Sequence, residues 1–188
     1  MALVLKFMLA YLFDPDAELA APERQLDPGD DSFLFEQGPA RGLSKIRFGR
    51  WEDAFEPFAG VPNVDRFVGL AESFKELLAT APPDEAQQKD LDFLLTLGEL
   101  FTLIPYGQLI CEQAALVGLP LDTLDQIFDV FVRDFSAYAV ELLGKASSTE
   151  AQQDWARSVI TKPAVDPERF DAVWAKTRAL AGGYEMRP

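Results

Sequence analysis

The sequence predicts an all-α protein, an irregular helical bundle of five to six helices with an aromatic-rich extended arm. Two observations predict the helices. From Val64 onward apolar residues recur at spacings of three and four, the period of one buried helix face. Capping residues and Pro or Gly stops then divide that stretch into helix-sized pieces. A third observation predicts the arm: residues 32 to 60 break the period with glycine and proline yet keep many aromatic rings. With 48% hydrophobic residues and 15 Phe among 188, the chain has the means to bury a core.

Met1 to Phe13 is apolar apart from Lys6. It reads as a helix hydrophobic nearly all round, which predicts a buried helix rather than a surface one. The run is short of the roughly 20 residues needed to span a bilayer, so no transmembrane segment is expected from it. Lys6 inside the run and Asp14-Pro15-Asp16 after it do not fit a secretory signal. Asp14-Pro15 and Pro22 stop the helix, and Leu26 to Asp30 reads as a turn. Ser32 to Gly60 forms the arm, whose rings Phe33, Phe35, Phe48, Trp51, Phe55 and Phe58 are expected to pack onto helices, with a short strand around Lys45 to Phe48.

Asn63 is the expected N-cap of the first periodic helix, which carries Val64, Phe67, Val68, Ala71, Phe74 and Leu78 inward. Pro82-Pro83 ends it, and Asp84 is expected to cap a helix from Glu85 to about Val117. Pro105 lies inside that helix; lacking a backbone donor, it predicts a kink or break near Ile104. Gly118-Leu119-Pro120 closes it. Asp122 then caps a helix to Leu143 whose inner face is Leu124, Ile127, Phe128, Phe131, Phe135, Tyr138 and Leu142, with Gly144 at the C-terminal cap. Thr149 and Gln152 form a capping box for a helix to about Ile160. Asp166-Pro167 opens the last helix and Gly182-Gly183 ends it. The chain divides into residues 1–60, helix plus arm, and residues 61–188, the bundle.

The chain has no histidine. That excludes Ser-His-Asp and Cys-His nucleophilic sites, His-ligated zinc, and carboxylate sites built on a Glu-x-x-His pair. A formal charge of −14 repels nucleic acid and anionic membranes. The single cysteine, Cys111, suits a reducing cytoplasm and sits in the most apolar stretch, where it reads as a small hydrophobe. Glu99 and Glu112 lie in the same stretch; a carboxylate held among apolar groups could serve as a general base. Against that, Asp92, Glu99, Tyr106 and Gln113 recur every seven residues, as a helix face turned to water would. Arg41, Lys45, Arg47 and Arg50 reverse the sign of the chain locally, with no acid between Glu36 and Glu52. They are candidates for a phosphate, a nucleotide-bearing cofactor or an acidic partner, or else they pair with the protein's own carboxylates. No phosphate-binding glycine motif accompanies them. Asp125, Asp129 and Arg133 are spaced as a surface ion pair on one helix. No metal site is expected.

The run DLDFLLTLGELFTLIPYGQLI from Asp90 to Ile110 resembles the C-terminal helical region of a group of bacterial acyl-CoA dehydrogenases. The run LDQIFDVFVRDFS from Leu124 to Ser136, the Ser147-Ser-Thr and Lys162-Pro segments, and QGPARGL from Gln37 to Leu43 are similar too. The resemblance spans most of the chain. It implies a C-terminal helical module of an FAD-dependent oxidoreductase of fatty acyl-CoA oxidation. Such an enzyme uses a glutamate to remove the substrate's α-proton while hydride passes to the flavin. No counterpart of the family's Tyr-Glu-Gly-Thr segment is found, so no catalytic residue carries over. The isolated chain is therefore expected to be inactive and to hold no cofactor, FAD belonging only to a complete dehydrogenase. The apolar N-terminal helix would be the tail of a preceding bundle, exposed by a truncated or separately encoded reading frame. It would seek a companion dehydrogenase core or a second copy of the chain. The alternative is a stand-alone helical interaction or oligomerisation module.

Overall fold

Six α-helices make up most of the computed structural model, which describes residues 2–16, 18–19 and 47–183. In chain order they are α1 (Ala2–Phe13), α2 (Pro62–Thr80), α3 (Leu91–Val117), α4 (Leu121–Gly144), α5 (Glu150–Val159) and α6 (Pro167–Ala179). Short 3₁₀ turns at Glu52–Ala54, Glu56–Phe58 and Gln87–Lys89 join them, and no strand occurs among the described residues. The fold is all-α, as the periodicity predicts. Helix α4 is central, packing against α2, α3, α5 and α6. Its buried Leu124, Phe128, Phe131, Phe135 and Leu142 are the inner face that the sequence spacing marks, with Ile127 and Tyr138 at its edge.

Aromatic rings set the packing. Phe67 of α2 meets Phe128, Phe131 and Phe135 of α4 with ring centroids 5.3, 5.4 and 6.5 Å away. Such close, mostly edge-on contacts add to what burial of the rings contributes. Phe55, between the first two 3₁₀ turns, joins the cluster at 6.0 Å from both Phe67 and Phe128. Gly107 of α3 lies against these rings; a β-carbon there would stand 2.8 Å from the Phe67 ring. Met8, Tyr11 and Leu12 of α1 and Trp51, Phe55 and Phe58 share one core with α2 to α5, so the rings on both sides of residue 60 pack together.

Several local expectations are corrected. Residues 52–58 are 3₁₀ turns rather than extended chain, and Arg47 and Phe48 are not in a strand; Lys45 and the arm from Ser32 to residue 46 lie outside the described residues. Phe48 nevertheless packs as expected, edge-on to Tyr11 at 5.4 Å. Asn63 is not an N-cap. Helix α2 begins at Pro62, and Asn63 is wholly buried in its first turn, its N–H donating to Asp125 Oδ1 at 2.8 Å. Its side-chain amide also clasps Ala164, accepting from that residue's N–H at 2.7 Å. A carboxylate from α4 thus takes over the capping, a partner that local sequence cannot reveal.

Asp84 caps only the third 3₁₀ turn, and α3 starts at Leu91, with Asp90 accepting from the N–H groups of Asp92 and Phe93. Pro105 does not break α3, which continues to Val117. Packing on both sides of the proline compensates for the missing bond: Leu100, Ile104 and Cys111 are fully buried. Asp122 lies within the first turn of α4, after the cap Pro120, and pairs with Lys176 of α6. Gly144 is the last residue of α4, capped by Lys145, and α6 ends at Ala179, before Gly182-Gly183; three other boundaries agree. Gly118 ends α3 in the left-handed region at φ 65°, the Thr149–Gln152 capping box forms, and Asp166 caps α6 by accepting from the Arg169 N–H.

The N-terminal helix differs from its reading as buried all round. Met8, Tyr11 and Leu12 face the core, whereas Val4, Leu9 and Phe13 are exposed. Helix α3 is long and apolar enough to cross a membrane by length and composition, but it serves here as a wall of the core through Phe93, Leu97, Leu100 and Ile104.

Candidate functional site

A groove of about 690 Å³ runs along α3 between α1 and α4. Its floor is α3 from Leu94 to Tyr106, including Leu95, Gly98 and Thr102. Val4 and Phe7 of α1 form one wall, and Asp134 and Tyr138 of α4 the other. At Gly98 the floor meets α1, the Val4 side chain standing 3.8 Å from where a β-carbon would lie. Glu99 and Asp134 are the charged residues of the lining. Burial, followed by the negative charges of Glu99, Asp134 and Glu141, raises the Tyr138 phenol above its ordinary value. The groove is apolar below and acidic at its edge.

The outward face of α3 continues this surface. Asp92, Glu99, Tyr106 and Gln113 are all exposed, as their seven-residue spacing predicts. The same face also shows Leu95, Leu109 and Leu116 to solvent, the first two by more than half of their area. It is therefore a mixed apolar face rather than a polar stripe. Glu99 lies on the groove edge, not in an enclosed pocket. Glu112 accepts from the Gln108 side chain at 2.7 Å, and Gln108 in turn accepts from the buried Tyr11 hydroxyl. This chain of bonds ties α1 to α3. Cys111 is fully buried, and burial pushes its thiol up to about 12, which keeps it protonated and unreactive.

Two of the four basic candidates can be placed. Arg47 pairs with Asp16 at 2.6 Å and Arg50 with Asp53 at 3.3 Å, both at the surface. Arg41 and Lys45 lie outside the described residues. Each placed arginine meets one of the protein's own carboxylates.

The Asp125, Asp129 and Arg133 spacing conceals a different arrangement. Both aspartates are buried, and they hold Arg169 of α6. The guanidinium donates to Asp125, to Asp129 Oδ2 at 3.4 Å, to Gln126 Oε1 at 3.2 Å and to the Ala164 carbonyl at 3.1 Å. Arg133 pairs with the outer oxygen of Asp129 at 2.7 Å. The expected Asp129–Arg133 pair therefore forms, with Arg133 exposed, but its aspartate also belongs to a buried latch holding α6 and the segment before it to α4. Sequence reasoning misses it because Arg169 lies 40 residues from Asp129; buried-helix position was the available signal, since Asp125 and Asp129 flank the inward Phe128. No cluster of three or more metal-ligating side chains occurs among the described residues.

Compared with known proteins, the chain matches no family model, no curated protein and no solved structure.

Proposed function

We propose that this chain is a C-terminal helical module of an acyl-CoA dehydrogenase-like flavoprotein of the cytoplasm, which serves fatty acyl-CoA oxidation by docking onto a catalytic core rather than by catalysing. The residue runs from Asp90 to Ile110 and from Leu124 to Ser136 support the family part of this reading. The observation that carries the docking part is the outer surface of α1 and α3. Leu95, Tyr106 and Leu109 stand more than half exposed on one helix face, with Val4 of α1 exposed in the adjoining groove. Apolar surface gathered in this way is characteristic of an interface with another polypeptide. FAD would belong to the assembled dehydrogenase, not to this chain.

Sedimentation of the purified chain, alone and with an acyl-CoA dehydrogenase subunit as the test partner, tests the reading. The expected result is a one-to-one complex weakened by Leu95→Asp and Leu109→Asp, with no flavin absorbance and no dye-linked acyl-CoA oxidation from the chain alone. A yellow monomer that desaturates a thioester unaided overturns it. A homo-oligomer indifferent to the dehydrogenase replaces it with a self-associating interaction module.

A further inference from the structure

The groove along α3 has a length, a depth and a charge that together select an occupant. Leu94 and Tyr106 are twelve residues apart, which is about 18 Å of helix axis, or some three turns. A trough of that length, open along its top and floored by one helix, has the form of a missing helix position. At Gly98 the Val4 side chain of α1 closes against the floor, 3.8 Å from where a β-carbon would stand. The exposed Leu95 and Tyr106 supply the apolar contacts along the open part of the floor.

Charge decides which helix fits. Glu99 and Asp134 stand on the groove, with no basic residue in its lining. Glu141 adds a third carboxylate near Tyr138, after burial, Glu99 and Asp134. Lys145 is held by Asp92 at 2.8 Å and is influenced by Glu141 and Glu99 only after that pair. A second copy of the chain, itself at −14, would bring the same carboxylates together, and an anionic lipid surface would be repelled.

We propose that the trough between α1, α3 and α4 takes one amphipathic helix of a partner protein, with its apolar stripe on the α3 floor and its Lys and Arg residues on the Glu99 and Asp134 edge. Recognition is of the helix-in-groove kind, with anchors at i, i+3 or i+4 and i+7, and the acidic edge selects against helices with acidic flanks. The inference rests on the docking reading only in taking this surface to serve another polypeptide.

The test uses the whole chain and two synthetic helices of about 20 residues, beyond the length at which isolated helices are marginal. They share one leucine stripe, flanked by lysine in the first and glutamate in the second, and carry a fluorophore for anisotropy. The lysine helix is expected to bind and the glutamate helix not to. Glu99→Lys with Asp134→Lys, both exposed positions, should weaken binding by about tenfold or more, the scale of lost charge pairs at an interface. Leu95→Gln should weaken it independently, and Phe170→Ser with Trp174→Ser, on the far helix α6, should leave it unchanged. Circular dichroism checks that each variant is folded. Equal binding of both helices overturns the proposal, as does indifference to the Glu99 and Asp134 changes or to Leu95→Gln, or loss of binding on changing Phe170 and Trp174. If the lysine helix fails while the dehydrogenase subunit still forms a complex, the groove's occupant alone is wrong; if both fail, the docking reading falls with it.

Discussion

Gly107 shows how one residue can be set by packing against its own helix propensity. In an exposed helix, alanine in place of glycine gains about 1 kcal/mol. Here a β-carbon would meet Phe67 at 2.8 Å, Phe128 at 3.3 Å and Phe55 at 3.4 Å, all ring atoms of buried side chains. Overpacking a closed core costs about 1–3 kcal/mol. Gly107→Ala is therefore expected to lower the urea midpoint despite the better helix former; a raised midpoint would show that the rings yield. From sequence, Gly107 beside Pro105 looks like part of a helix break. The reason for the glycine is three rings brought from three other segments, none of them near it in the chain.

The attachment of α6 turns on Arg169. Val165, Phe170, Trp174 and Leu180 are exposed around it, so this helix buries little apolar surface. Its hold comes from the buried Arg169 latch and from Lys176 on Asp122 at 2.5 Å. Removing one member of a buried ion cluster strands the others without water, at a cost of about 3–5 kcal/mol. Arg169→Met should cost that much in urea unfolding and should speed amide exchange in α6 first. Slow exchange in α6 with unchanged stability would refute the latch.

The start of α3 is held in a comparable way. The Ser147 hydroxyl, and then the Phe93 N–H, hold the Asp90 carboxyl below the usual carboxylate range, while Lys176 does the same for Asp122. A carboxyl depressed in the folded state adds stability above its unfolded value and loses it as pH falls through the folded value. Asp90→Asn should therefore be less stable than the parent near neutrality, with the difference shrinking in acid. A difference that stays constant with pH would mean that the charge of Asp90 has no part in it. Capping residues of this kind are legible in sequence only to within a turn: Asp84 and Asp90 both precede α3, and it is Asp90, bonded to Ser147, that caps it.

Across the whole molecule, 31 acidic residues against 17 basic ones produce self-repulsion that the ion pairs only partly relieve. Salt screens exposed charges over about 8–10 Å at moderate ionic strength. Raising salt from very low to moderate concentration should raise the melting temperature, since it weakens long-range repulsion more than it weakens the buried latch. A melting temperature that falls with salt would show that surface pairs such as Arg157 with Asp154 dominate instead. The same charge, gathered at Glu99 and Asp134 beside an apolar floor, gives the molecule its one-sided groove.

Sequence alone determined the fold class, the inward faces of α2 and α4, the Thr149–Gln152 and Asp166 caps, the Gly118 stop and the absence of imidazole chemistry. All of these depend on local periodicity, local hydrogen bonds or composition. Tertiary structure alone decided that α3 runs through Pro105, that α1 and α3 leave apolar side chains at the surface, and that Asp125 and Asp129 lie buried on Arg169. It also made Asn63 a bridge to α4 and Ala164 rather than a cap. The physical reason is the same in each case: a helix's period tells which residues share a face, but which face meets a neighbour, and which charge finds its partner, depends on segments far away in the chain.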